Sequence, residues 1–189
     1  FYQNPITQVV REERRIRDSG NTAAADFLRE ISCFPQAIWI SGGRPEGARD
    51  KTSRFGSEAA ALGKIPVFVL YNSPSHETLE WKSGLQSGEY RDWMRALAGG
   101  IGETSAWVIL EPDSVGLLPE LSREDQDVRL LELRDAVRIL KSAAPNVRVY
   151  LDAGHSNWRR AENIAELLLK AGIAEADGLT TNVSNFQSL

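Results

Sequence analysis

The sequence predicts an α/β protein built on a parallel sheet, and three features of the chain lead there. Five short apolar runs stand out: Ala37-Ile38-Trp39-Ile40, Ile65-Pro66-Val67-Phe68-Val69-Leu70, Trp107-Val108-Ile109-Leu110, Val147-Arg148-Val149-Tyr150-Leu151 and Gly178-Leu179-Thr180-Thr181. The Trp107–Leu110 run is short and suits a strand buried on both faces. Stretches with helical spacing separate the runs, giving the order α-α-β-α-β-α-β-α-β-α-β. Strands that alternate with helices are parallel and joined by right-handed crossovers. Each run also ends in polar, small or aromatic residues: Ser41-Gly42-Gly43, Tyr71-Asn72-Ser73-Pro74, Glu111-Pro112-Asp113-Ser114, Asp152-Ala153-Gly154-His155 and Asn182-Val183-Ser184-Asn185. A sheet that needs only stability has no reason to gather such groups at one end of every strand. Convergence on one mouth, at the carboxyl ends of parallel strands, is the geometry of an active site.

Taken in order, Asn4-Pro5 supplies an N-cap and a first helical residue. That helix is expected to run through the charged Arg11–Arg17 stretch, a solvated face, to Gly20. A second helix, about Thr22 to Ile31, carries Phe27, Leu28 and Ile31 at helical spacing. Gly42-Gly43-Arg44-Pro45 reads as a loop. It makes a weak phosphate cradle, because no glycine pattern leads straight into a helix and no Lys-Ser/Thr follows. A helix over roughly Asp50–Leu62 leads to the Ile65–Leu70 strand. Ser73 to Ser87 is a long loop rich in Ser and Gly, with Trp81 inside it, and loops of this length in compact domains tend to be functional or mobile.

Glu89 to Leu97 is helical, and Gly99-Gly100-Ile101-Gly102 turns the chain into the central run. Pro112 has no N–H for a sheet and pushes Glu111 toward an extended conformation. The strand therefore stops there, with Asp113 just past its carboxyl end. Ser122 with Asp125 resembles a capping box with Asp in place of Glu or Gln. The helix that follows, to about Ala144, shows Val128, Leu131, Leu133, Val137 and Leu140 largely on one face, and Pro145 closes it. Ser156 or Asn157 can cap the last helix, whose Ile164, Leu167 and Leu168 face inward and which ends at Gly172. There is no internal repeat and no low-complexity tract.

The length of 189 residues fits one domain able to bury a sizeable core. An apolar content of 42% and a charged content of 25% are ordinary for a soluble globular protein. Twenty-two basic and 26 acidic residues give a net charge of −4, which argues against nucleic acid or an anionic membrane as the main partner. No apolar run approaches the roughly 20 residues of a membrane span. No signal peptide is visible and Phe1 is not an initiator methionine, so the chain reads as a processed or excised segment. Cys33 is the single cysteine and leaves no internal disulfide.

The central stretch Val108-Ile109-Leu110-Glu111-Pro112-Asp113-Ser114 resembles the signature of glycoside hydrolase family 6, the cellobiohydrolases and endoglucanases that cut β-1,4-glucan. Tyr150-Leu151-Asp152-Ala153-Gly154-His155-Ser156-Asn157-Trp158 is similar to a second motif of that family. Thr181-Asn182-Val183-Ser184-Asn185-Phe186 is similar to a third. Phe1-Tyr2-x-Asn4-Pro5 and Pro35-Gln36-Ala37-Ile38-Trp39 resemble its opening elements, and order and spacing agree from end to end. The resemblance implies a parallel-stranded distorted (β/α) barrel with fewer strands than the eight-stranded form. It also implies hydrolysis with inversion at the anomeric carbon, a β-1,4-glucan or cello-oligosaccharide as substrate, no cofactor and no metal, and a secreted protein.

By the same resemblance Asp113 matches the general acid. That chemistry needs a carboxylic acid still protonated at working pH, hence one raised by burial or by a neighbouring carboxylate. Taken alone, Asp113 reads equally as the cap of a following turn. Glu111 either shares its face or holds a structural hydrogen bond. Asp152 resembles a structural and electrostatic member of the site. His155 resembles a sugar contact, or else bonds backbone where a helix begins. Tyr71 matches a tyrosine under the sugar at the cleavage point, and reads equally as core. Trp39 and Trp158 suit stacking on a pyranose ring, although Trp39 also fits a core and Trp81 a loop anchor. Ser184 and Asn185 resemble polar contacts near the cleavage point.

Two departures from the family pattern matter. Where the family reads Arg-Asp-Cys, this chain reads His76-Glu77-Thr78. Glu77 keeps the carboxylate one methylene further out. Thr78 removes a cysteine whose partner is also absent, a crosslink worth about 2–4 kcal/mol. Ser83 or Ser87 matches the water-positioning serine. The chain also covers only about the first two thirds of the family's domain. The expectation is one catalytic domain over residues 1–189, a barrel incomplete at its C-terminal end, and an open edge that another chain could close. Glu77 and Asp152 are then the candidates for activating water. Two other readings are a carbohydrate-binding relative that has lost turnover, and a metal-dependent hydrolase with Asp113, Asp152 and His155 as ligands.

Overall fold

The computed structural model describes residues 1–74 and 87–187. His76, Glu77, Thr78, Trp81 and Ser83 lie outside the described residues. In chain order the elements are α1 (Gln8–Asp18), α2 (Thr22–Ser32), β1 (Ile38–Ser41), α3 (Pro45–Ala61), β2 (Val67–Tyr71), α4 (Ser87–Ile101) and β3 (Ala106–Leu110). Then come α5 (Ser114–Leu117), α6 (Arg123–Ala143), β4 (Val147–Asp152), α7 (Ala161–Ala171) and β5 (Gly178–Thr180). Short 3-10 turns follow α5 and α7.

The five strands form one open, wholly parallel sheet in the order β1-β2-β3-β4-β5, so β3 lies at its centre. The pairing aligns Ile40, Leu70, Leu110, Leu151 and Leu179 in one row. This row, apart from the half-exposed Leu179, and the one containing Ile38, Phe68, Val108 and Val149 are covered by the helices. Phe55 of α3, Trp93 and Leu97 of α4, Leu133 and Val137 of α6 and Leu168 of α7 complete the core on that side. The opposite face carries Trp39, Val69, Ile109 and Tyr150, and in β3 its residues Trp107 and Ile109 are only half-buried. β3 is therefore buried on one face and half-open on the other, where both faces were expected to be covered. The inner face of a curving parallel sheet meets other strands, not helices.

Several helix bounds differ from the sequence reading. Asn4-Pro5 forms a turn in which Asn4 Oδ1 accepts the Ile6 N–H (3.0 Å), and the cap of α1 is Thr7, whose Oγ1 accepts from Val10 N (3.3 Å). In α2 the buried apolar residue is Ala25, while Phe27 and Ile31 are exposed. α3 begins at Pro45, five residues before Asp50, because proline fixes the φ that a first helical turn needs. α4 runs on through Gly99 and Gly100 to Ile101, and the turn is made at Gly102 (φ +54°). Gly100 is where α4 meets α3: a Cβ there would run into Thr52 Oγ1 and the Arg49 carbonyl. On α6, Val128 and Leu131 are exposed, and Arg129 and Glu132 occupy the buried positions. Ser122 does cap α6, with its Oγ accepting from Asp125 N at 3.2 Å. Neither Ser156 nor Asn157 caps α7, which starts after Arg160 with no side-chain cap and ends at Gly172 (φ +93°).

Candidate active site

The Glu111 N–H is still a sheet donor, to Leu70 O at 2.8 Å. Beyond it Pro112 offers no N–H, and the chain turns sharply, with Ser114 N bonding back to Glu111 O (3.1 Å). Both carboxylate residues take left-handed backbone, Glu111 at φ +46° and Asp113 at φ +71°. Such residues cost about 1–3 kcal/mol each and persist where their surroundings hold them. Glu111 was expected to be extended; its side chain explains the difference. The buried carboxylate accepts Asn72 N (3.0 Å to each oxygen), Ser73 N (3.1 Å) and the Tyr90 hydroxyl (2.9 Å). Hydrogen bonds to a charged group contribute about 1.5–3 kcal/mol each, enough to outweigh the backbone strain. Burial, and then Glu111, push the Tyr90 hydroxyl well above its usual range.

The turn leaves Asp113 half-buried at the middle of the mouth. Its N–H donates to Asp152 Oδ2 (2.9 Å), and Asn185 Nδ2 lies 3.4 Å from Asp113 Oδ1. Asp152, at the end of β4, is 1% exposed. Burial raises its carboxyl to about 6, with the charge of Asp113 adding to the rise. The N–H groups of Asp113 and Gly154 and the nearby His155 pull the other way. Tyr71, at the end of β2, is half-buried, and its hydroxyl is raised by burial and by the charges of Asp113 and Glu111. Trp39 stands edge-on to Tyr71, with centroids 6.1 Å apart, and is 46% exposed on the inner face.

The loop after β4 carries His155 and Trp158, stacked at 5.5 Å with 21° between planes. His155 Nδ1 is buried and has no hydrogen-bond partner among the described residues. Trp158 is half-buried, and a Cβ at Gly116 or Gly154 would lie 2.9 or 2.7 Å from its ring. Ser184 and Asn185 are exposed on the turn after β5. Asn182 (φ +56°) fixes that turn: its N–H bonds Gly154 O, and its side chain pairs with the Gln187 backbone through two bonds of 3.1 and 3.2 Å. An apolar groove of about 410 Å³ lies between α7 and β5, lined by Ile164, Leu168 and Leu179 among others. It flanks the mouth and carries no carboxylate. Among the described residues no group of three or more His, Cys, Asp or Glu is placed to hold a metal ion.

A sequence profile described as glycosyl hydrolases family 6 matches residues 1–189. The chain belongs to glycosyl hydrolases family 6. It is 33% identical over 173 residues to Endoglucanase 1 of Streptomyces sp. (strain KSM-9), covering 89% of this chain and 48% of that protein. It is 32% identical over 192 residues to Endoglucanase A of Thermobispora bispora, covering 99% of this chain and 41% of that one. The chain thus spans about half the length of the curated relatives it matches. The endoglucanase Cel6 from Mycobacterium tuberculosis superposes with a TM-score of 0.89 at 31% identity, covering the whole of this chain and 63% of that one. Its structure is a complex with methyl-cellobiosyl-4-deoxy-4-thio-β-D-cellobioside. The open sheet therefore corresponds to part of a family 6 barrel.

Within this family 6 fold, Asp113, Asp152, Asn185 and Tyr71 come together at the mouth, with Trp39 next to Tyr71. Sequence reasoning placed Ser73 and Asn182 at strand ends without a role for either, and missed the other supports beneath the mouth: Tyr90, Arg129 and Glu132. A signal for two was available. Arg129 and Glu132 interrupt the apolar stripe of Leu133, Ala136, Val137 and Leu140, where a merely solvated pair would sit on the opposite face.

Proposed function

We propose that the chain is the larger part of the catalytic domain of a secreted β-1,4-glucan hydrolase that inverts the anomeric carbon, with Asp113 as general acid. The observation that carries this is the placement of Asp113: a half-buried carboxyl at the centre of the mouth, on a turn tied to Asp152 through its own N–H. Membership of family 6, relatives named endoglucanases and a cello-oligosaccharide analogue in the Mycobacterium tuberculosis structure support the choice of glucan.

In this reading Trp39 offers its indole face to the apolar side of a glucose ring, and Tyr71 lies beside the ring at the cleavage point. Asn185 steadies the Asp113 carboxyl, and His155 and Ser184 offer polar contacts to sugar near the cleavage point. Asp113 delivers its proton to the glycosidic oxygen as the bond opens. Water attacks from the opposite face, assisted by a carboxylate roughly 6.5–9.5 Å from the acid. Asp152 already accepts the Asp113 N–H and is buried, which suits it to orienting the acid. Water activation falls to Glu77, directly or through a chain of waters. The test is proton NMR of fresh cello-oligosaccharide digests. Initial release of the α-anomer is expected; initial β-anomer, or no reducing sugar, would overturn the reading.

A further inference from the structure

Glu132 belongs to none of the motifs at the mouth. It sits on α6, is 2% exposed, and accepts two hydroxyls: Ser73 Oγ at 3.0 Å on Oε2 and Ser87 Oγ at 2.7 Å on Oε1. Ser73 follows Tyr71 by two residues, and Ser87 opens α4. One carboxylate thus receives both ends of the stretch 73–87. Ser73 also gives its N–H to Glu111, so the chain just beyond Tyr71 is held by two buried carboxylates from two different elements. Arg129, one turn earlier on α6 and 1% exposed, supplies the countercharge. Burial lowers its pKa, and Glu132 and then Glu111 are the charges that most oppose the fall.

Packing alone does not call for this arrangement. A buried carboxylate costs several kcal/mol of desolvation unless it is paired and hydrogen-bonded, and an apolar residue would extend the stripe of Leu133, Val137 and Leu140 at no such cost. What the carboxylate adds is direction, because it fixes two hydroxyls at set positions relative to α6.

We propose that Glu132 is a positioning residue for the Tyr71 side of the sugar site. It anchors both ends of the 73–87 stretch to α6 and, through Ser73, sets where Tyr71 stands relative to Asp113. The inference rests on the glucan-hydrolase reading above. Glu132 and Ser73 are too buried to touch glucan themselves, so they act on the substrate through the residues they hold, Tyr71 first among the described ones.

The test uses the full chain with Ser73→Ala, Ser87→Ala, the double variant, Ser87→Thr and Glu132→Gln. Each is measured for kcat and KM on a cello-oligosaccharide, for Kd by calorimetry and for melting temperature. The two single serine variants are expected to raise KM and Kd together, and the double variant to raise both about tenfold. Ser87→Thr, which keeps the hydroxyl, should stay within about twofold of the parent. Glu132→Gln should match the double variant; if it fails to fold, the serine variants decide. A lower melting temperature with unmoved KM and Kd would make the clamp purely structural and overturn the proposal. A parent that binds without hydrolysing would overturn the hydrolase reading, and the Kd ratios would then decide the clamp. A parent that neither binds nor hydrolyses would overturn both.

Discussion

The N–H of Asp113 is held 2.9 Å from Asp152 Oδ2. This bond joins the turn after β3 to the last residue of β4, across two strands that pair in register from Ala106 and Val147 to Leu110 and Leu151. It fixes the backbone of Asp113, not its carboxyl. The carboxyl therefore stays available, with Asn185 as its neighbour.

That separation of roles shapes the first prediction. Asp113→Asn keeps the N–H and so the turn, and removes only the transferable proton. Hydrolysis of unactivated glucan should fall by at least about 10²-fold, the lower end of what general acid catalysis contributes. A substrate with an acidic phenol as leaving group needs little protonation and should lose far less. Equal losses on both substrates would remove Asp113 from the role.

Asp152 makes stability depend on pH. Its folded carboxyl titrates at about 6 against 3.8 unfolded. Between those values the folded state holds a proton that the unfolded state has released, so stability falls as pH rises through the window. A rise of about two units corresponds to about 3 kcal/mol, fully expressed above pH 6 and relieved below pH 4. Urea unfolding of the parent and of Asp152→Asn, at several pH values from 4 to 7, isolates this contribution from that of other carboxylates. The parent should lose stability relative to the variant as pH rises. Parallel curves would mean that Asp152 is ionised in the folded protein throughout.

The Glu111 anchor is tested through Tyr90. Tyr90→Phe removes one of the donors to a buried carboxylate and leaves the ring, which stacks on Trp93 at 6.3 Å, in place. The expected loss is about 1.5–3 kcal/mol in chemical denaturation. Glu111→Gln should cost more, because its amide group would face N–H donors at Asn72 or Ser73. A Tyr90→Phe protein as stable as the parent would show that the remaining partners of Glu111 suffice.

The strands were legible because each is a short apolar run that breaks off at polar residues, as Leu110 does before Glu111-Pro112-Asp113. Their parallel direction followed from the alternation with helices. Burial within helices was less legible. Periodicity shows that Phe27 and Ile31, or Val128 and Leu131, share a helix face, but not whether another element covers it. Helix starts were misread where backbone geometry outranked side-chain caps, as at Pro45 and Arg160. The strained φ of Glu111 was invisible because its cause lies far along the chain, at Asn72, Ser73 and Tyr90. The buried position of Glu132 was signalled by the stripe it interrupts, but its partners were not, because Ser73 and Ser87 lie 59 and 45 residues away in sequence.

The seat of Trp158 gives the last prediction. Its six-membered ring fills the space above two glycines that differ in backbone. Gly154 is left-handed at φ +74°, whereas Gly116 lies within α5 with no positive φ. A Cβ at Gly154 would meet the ring at 2.7 Å, and one at Gly116 would meet it at 2.9 Å. Indole is rigid and already stacked on His155, so the ring must shift as a whole. Gly116→Ala should therefore destabilise by about 1–3 kcal/mol, the usual cost of overpacking. Gly154→Ala should cost more, because a left-handed alanine adds about 1–2 kcal/mol. Trp158→Phe offers a smaller ring, and in that background the Gly116→Ala cost should shrink markedly while part of the Gly154→Ala cost remains. Double-mutant cycles from urea unfolding measure this difference directly. If Gly116→Ala costs the same with Trp158 and with Phe, the ring does not set the limit and some other neighbour of Gly116 does.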